Sequence, residues 1–207
     1  MDRDTIWLRP ALPTLDEGMV CARFLNGLTP GFRITFGRRH LEILAGAYVQ
    51  PGHDLSFEHA TFAERDGVIV GLVAGYTAEE HRTSSREPLR AAAGRGLHGR
   101  IGAALSAAFM RHLGPGADDE YYVWALAVGA DERRQGIGSL LMDHAEETAR
   151  ERGCSLLSLD VEAKNEGARR FYESRGMSIQ SKWPPSRLLP AGTYRMAKRV
   201  LNAGIES

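Results

Sequence analysis

The stretch that most constrains the fold runs from residue 121 to residue 161. It opens with YYVWALAV (121–128), whose aromatic and branched side chains read as a buried strand. A loop of glycines and charges follows. From Ile137 onward, Leu140, Leu141, Ala145, Thr148 and Ala149 recur at helical spacing, while Asp143, Glu146, Glu147, Arg150 and Glu151 fill the opposite face. CSLLSLDV (154–161) is a second strand. Two strands joined through a helix cannot form a tight hairpin; the crossover returns the chain in the same direction, so the two are expected as parallel neighbours in an α/β sheet.

The flanking segments suit the antiparallel parts of a mixed sheet. In SFEHATFAERDGVIVGLVAGYTAE (56–79), Asp66-Gly67 separates two strand-like runs and predicts a two-residue hairpin turn. Upstream, TIWLRPAL is a short strand, and Thr14 with Glu17 has the spacing of a capping box for the helix LDEGMVCARFLNGL. A second helix is expected over FGRRHLEILAGAYVQ, before Pro51-Gly52. Residues 82–120 interrupt the sheet as a glycine-rich insertion with a helix through Leu97, Ile101, Leu105 and Ala108. After the second parallel strand come a short helix, NEGARRFYESRG, and two weaker strands, MSIQSKW and GTYRMAKRV. A chain of 207 residues with this order is expected as a single domain over 1–207.

Charge and cysteine content exclude several functions. With 26 basic against 26 acidic residues the formal charge is zero, so no overall field draws the molecule to nucleic acid or an anionic membrane. The start, MDRDTIWLRPAL, lacks the apolar run of a signal peptide, and Cys21 and Cys154 lack metal-ligand spacing, which predicts reduced, packed thiols and a cytoplasmic location. The seven histidines form no ligand pattern, so no metal is expected.

The loop before the long helix carries the functional signal. The first N–H groups of a helix have no intrahelical partners and sit at its positive end, which suits an anion. Gly136 and Gly138 keep Cβ atoms out of the way, and Arg133 and Arg134 add cationic heads. A glycine turn starting an ordinary surface helix has the same pattern, so the loop alone decides nothing. A dinucleotide fingerprint wants a small residue where Leu141 stands, although Asp160 falls where a ribose-binding acid sits; a P-loop wants a lysine after Gly138, where Ser139 and Leu140 follow.

The ordered set of WALAV, Arg133-x-x-Gly136-x-Gly138, the second strand and NEGARRFYESRGM resembles the GNAT superfamily of acyl-CoA-dependent N-acetyltransferases, most specifically over residues 121–177. The resemblance implies a mixed twisted sheet with antiparallel N-terminal strands, a splayed central parallel pair and flanking helices. It implies acetyl-CoA as cosubstrate, with the pantetheine arm on the backbone of Leu126 and Val128 and the pyrophosphate on Arg133, Arg134, Gln135, Gly136, Ile137, Gly138 and Ser139. Asn165 and Tyr172 match the family's polar residue and tyrosine around the following helix, and Tyr172 would be the general acid for the departing thiolate.

Direct transfer to a primary amine, most simply of a small molecule, then needs no covalent enzyme intermediate. Backbone N–H near Val128 would polarise the thioester carbonyl. Glu120 is a candidate base, against the commoner explanation of an exposed carboxylate introducing a strand; Glu58, Glu64, Glu79 and Glu80 are alternatives. Phe32, Phe36, Tyr48, Trp183 and Tyr194 are candidates for the acceptor side or for the core. The insertion offers either a cover for that side or a homodimer surface. Rival readings are a non-catalytic acyl-CoA sensor or partner-binding module, and an acetyltransferase for protein lysines or N-termini.

Overall fold

Asp66 and Gly67 both take positive φ (51° and 78°), the geometry of a two-residue hairpin turn, and Arg65 pairs with Val68 across it. Around this hairpin the computed structural model, which describes residues 5–28, 31–93, 114–184 and 192–200, forms a seven-stranded sheet. The strands are β1 (Trp7–Pro10), β2 (Ala60–Arg65), β3 (Val68–Thr77), β4 (Glu120–Val128), β5 (Leu156–Glu162), β6 (Ser178–Trp183) and β7 (Thr193–Arg199), in the order β1-β2-β3-β4-β5-β7-β6. Only β4 and β5 pair in parallel, as the helical crossover between them requires; the other neighbours are antiparallel.

Seven α-helices are described: α1 (Leu15–Leu28), α2 (Gly31–Phe36), α3 (His40–Tyr48), α4 (Ala78–Thr83), α5 (Glu87–Ala93), α6 (Ile137–Glu151) and α7 (Glu166–Ser174). Alternation along the strands sends side chains to two cores. On one face, Val73, Val123, Leu157, Leu159 and Met196 pack with Ile137, Leu141, Met142 and Ala145 of α6 and Tyr172 of α7. On the other, Phe62, Leu72, Ala74 and Ala125 pack with Cys21, Leu25, Phe32, Ile43 and Tyr48 from α1, α2 and α3. Burial of a side chain such as Leu141, fully inaccessible, contributes roughly 1.5–3 kcal/mol.

Local details depart from the sequence expectations. The Glu17 N–H does donate to Thr14 Oγ1 at 3.3 Å, but the Glu17 carboxylate accepts from the Leu12 N–H at 2.6 Å and pairs with Arg9 at 2.9 Å. A nearby cation thus outcompetes the return bond of a capping box. The complete box lies at Thr77 and Glu80, at the start of α4. The expected second helix begins only at His40, after a 3₁₀ turn over Gly37–Arg39, and is preceded by α2. Within the 82–120 insertion the described residues include α5; the helix expected through Leu97 to Ala108 lies outside the described residues.

Glu120, read as an exposed strand-introducing carboxylate or a base, is 3% exposed. It accepts from the N–H groups of Gly116 and Ala117 at 2.6 and 2.9 Å, from Ser158 Oγ, and from Arg195 Nη1 at 3.3 Å. The carboxylate therefore ties the turn before β4 to β5 and β7. Glu120→Ala is expected to lower unfolding free energy by about 3 kcal/mol, since it strands buried donors. Chemical denaturation checks this, and a loss below about 1 kcal/mol, the scale of an ordinary surface substitution, would contradict it.

Candidate functional site

The site is built where two parallel strands stop pairing. The β4–β5 ladder runs from Glu120↔Leu156 to Val123↔Leu159 and ends there, although β4 continues to Val128 and β5 to Glu162. The departure coincides with a bulge: against β3, Ala125 pairs with Ala74 and Val123 with Gly75, which leaves Trp124 as the extra residue. Gly75 permits this, because a Cβ there would stand 2.6 Å from Tyr121 Cε1 and 2.9 Å from Tyr122 O.

Beyond the bulge, β4 exposes backbone groups toward the gap. The Gly129 N–H donates to Val70 O at 2.8 Å, so Gly129, and by alternation Ala127, point their backbone groups at β3. Leu126 and Val128, which pair with Val73 and Gly71, then point theirs away from β3, where β5 has left the ladder. The Val128 carbonyl accepts from Arg133 Nε at 3.3 Å.

A 3₁₀ turn over Ala130–Glu132 leads from β4 into the glycine loop. Arg134 (φ 62°) and Gly136 (φ 85°) are both left-handed, and Gly136 is the N-cap of α6. The first backbone bond of the helix joins the Leu140 N–H to Gly136 O at 3.0 Å, so the N–H groups of Ile137, Gly138 and Ser139 have no carbonyl within the helix. A Cβ on Gly136 would meet nothing within 4 Å, whereas one on Gly138 would lie 3.6 Å from Phe171 Cζ and 3.9 Å from Val128 Cγ2. The loop is thus open on its Gly136 side and backed by β4 and α7 on the other. An extended ligand ending in a diphosphate fits this arrangement: unpaired amides and a helix dipole for the anion, and the Leu126 backbone and Val128 N–H off the ladder for an amide-bearing arm.

Asn165 caps α7, its Oδ1 accepting from the Ala168 N–H at 3.1 Å. Tyr172 is buried in the same cluster as Val123 and Leu159, the last paired residues of the parallel ladder. Burial pushes its phenol up to about 12, and its hydroxyl has no hydrogen-bond partner among the described residues.

Other residues singled out in the sequence fall elsewhere. Phe32, Phe36 and Tyr48 are buried core residues, while Trp183 is 53% exposed and Tyr194 packs under Arg169. Among the alternative bases, Glu58 accepts from the Gly52 N–H, Glu64 pairs with Arg9 and Glu80 pairs with Arg152. Asp160 takes two guanidinium bonds from Arg195 at 2.9 Å and the Tyr122 hydroxyl at 2.9 Å, which leaves it no free ribose-binding role. Two contributors were missed. Trp124 sits at the bulge with a buried Nε1–H that has no partner among the described residues, and Arg65 bonds Glu132 and Gln135 of the loop. Neither carries a local sequence signal, since both depend on strand register or on a contact between distant segments.

The model of the acetyltransferase (GNAT) family matches residues 23–177. This chain belongs to that family. The [ribosomal protein bS18]-alanine N-acetyltransferase of Escherichia coli (strain K12) is 38% identical to this GNAT protein over 60 residues, which is 29% of this chain and 40% of the relative. The match therefore spans well under half of that curated relative. Among solved structures, one described as an acetyltransferase superposes with a TM-score of 0.65 at 24% identity, covering 94% of this chain and all of the other. An N-acetyltransferase from Staphylococcus aureus Mu50 gives 0.66 at 16% identity over 93% of this chain and all of its own length. At such identities the structural likeness establishes the GNAT fold. No helix among the described residues is long and apolar enough to cross a membrane.

The two thiols of this GNAT protein are poor nucleophiles. Burial pushes Cys21 up to about 12 and raises Cys154 as well. Both are expected to resist thiol-modifying reagents at neutral pH in the native state and to react on denaturation. Rapid native-state labelling of either would contradict this.

Proposed function

We propose that this protein is an acetyl-CoA-dependent N-acetyltransferase that transfers acetyl directly to a primary amine. The observation that carries the reading is the set of unpaired main-chain donors at the start of α6, aligned with the backbone of Leu126 and the N–H of Val128, which face away from β3 beyond the bulge. When bound, acetyl-CoA supplies the activated acetyl thioester. The amides of Arg134 to Ser139 and the side chain of Arg133 hold the diphosphate. Leu126 and Val128 hold the pantetheine arm, and a main-chain N–H at Val128 polarises the carbonyl.

Tyr172 is the general acid for the departing sulfur. Its raised pKa keeps the proton in place throughout the neutral range, and its unpaired hydroxyl leaves that proton available, which favours an enzyme over a mere sensor. Asn165 fixes the start of the helix that carries Tyr172. Glu120 has a structural role in this account, because its oxygens are already filled by four protein donors at the paired end of the ladder. Two buried, proton-bearing thiols support direct transfer and suit a reducing cytoplasm.

Two acceptor classes fit this chemistry. A small-molecule amine is the simpler reading of the sequence. A protein α-amine is favoured by the 38% identity to the bS18-alanine N-acetyltransferase over 60 residues. A screen for coenzyme A release with a panel of small amines and a panel of short peptides with free N-termini separates them. Release with neither would leave the acyl-CoA sensor as the better account.

Gly136→Val adds a Cβ on the open side of the loop and imposes a left-handed conformation that costs an L-residue about 1–2 kcal/mol. It is expected to weaken coenzyme A binding about tenfold or more in calorimetry, with the fold retained. Unchanged affinity would remove the diphosphate assignment. Tyr172→Phe is expected to lower chemistry-limited turnover by about 10²-fold while acetyl-CoA affinity changes little. With Tyr172 as acid, the parent rate should hold its plateau past pH about 10, the ordinary tyrosine value, because the proton is lost only near pH about 12. A fall well below that range with Tyr172 still required would contradict the assignment.

A further inference from the structure

The loop that would hold a diphosphate begins with two acids, Asp131 and Glu132, just before Arg133 and Arg134. A carboxylate beside an anion site opposes binding unless another group neutralises it. Arg65, the last residue of β2, meets this need from the hairpin. Its Nη1 donates to Glu132 Oε2, and its Nη2 donates to Gln135 Oε1 at 2.9 Å. Gln135 Nε2 in turn donates to Asp131 O at 3.2 Å, and the Gly129 N–H anchors the start of the loop to Val70 O at 2.8 Å.

The pairing spans β2 and the loop, its two bonds joining residues 67 and 70 positions apart, so it fixes the loop against the sheet and is not a local turn feature. The Arg65 and Glu132 side chains are 20% and 26% exposed, which leaves the ion pair less screened than one in open solvent. The fork geometry also matters: a guanidinium reaches a carboxylate and an amide oxygen at once, which an ammonium on a single stem does poorly. The loop needs such a brace because Arg134 and Gly136 hold left-handed backbone on either side of Gln135.

We propose that Arg65 is the positioning residue of the donor loop: it cancels the charge of Glu132 and holds Gln135, so that the amides before and within the first turn of α6 stay aimed at the diphosphate of coenzyme A. This rests on the reading of residues 133–139 as the donor site. Arg65 itself does not contact the reacting atoms.

Calorimetric titration of coenzyme A into the full chain tests it. Arg65→Met is expected to weaken binding about fivefold. Adding Glu132→Gln to that variant removes the uncompensated charge and is expected to bring the loss back to the roughly two- to threefold left by the missing Gln135 contact, a recovery that loss of scaffolding alone would not allow. Arg65→Lys keeps the charge but gives up the contact to Gln135. It should weaken binding about two- to threefold and covers the case in which Arg65→Met does not fold. Parent-like affinity in both Arg65 variants, or a loss in Arg65→Met that Glu132→Gln leaves untouched, overturns the proposal. Gly136→Val run alongside separates the two levels: if it loses affinity while the Arg65 variants do not, only the role of Arg65 fails, and if it binds as the parent does, the donor-site reading fails first.

Discussion

The end of the parallel ladder at Val123 and Leu159 is the constraint from which the rest of the site follows. A parallel pair that ran to the end of both strands would saturate the backbone of β4 and close the sheet. Instead the bulge at Trp124 turns β4 away, still bound to β3 on one side, and the groups of Leu126 and Val128 are left facing a gap. The glycine loop and the first turn of α6 begin at the mouth of that gap. One irregularity in one strand thus sets up both halves of the candidate site.

What keeps the ladder from separating earlier is a polar staple on the face away from α6. Asp160, the first β5 residue past the last parallel pair, is held in a fork by Arg195 from its register partner position on β7 and takes the hydroxyl of Tyr122 from β4. Arg195 also bonds Glu120 and Gly114 O, and its guanidinium lies 5.0 Å from the Tyr122 ring centroid. Charges buried in this way are costly unless mutually satisfied, and here nearly every donor meets an acceptor. The three central strands are pinned up to the point of divergence and free of one another beyond it.

Much of this was legible in the sequence because it depends on local signals. The 121–161 unit announced parallel strands through its helical crossover, Asp66-Gly67 announced the hairpin, and Gly136 with Gly138 marked the loop. Leu126 and Val128 are named through resemblance, and the register against β3 gives the physical reason that their backbone groups face away from it. The features that escaped are those set by register or by distant contacts. Glu120 looked like an exposed carboxylate because nothing in its neighbourhood reveals that Ser158 and Arg195 converge on it. Thr14 and Glu17 had capping-box spacing, but Arg9 and the Leu12 N–H claimed the carboxylate. Arg65 carries no local signal, because its contacts to Glu132 and Gln135 form only when the loop lies beside the hairpin.

An amide NMR titration with coenzyme A reads these backbone groups one by one. The N–H resonances of Gln135 to Ser139 are expected to move most, together with those of Leu126 and Val128, as the ligand saturates. Saturable binding that leaves those amides unmoved while another surface responds would contradict this.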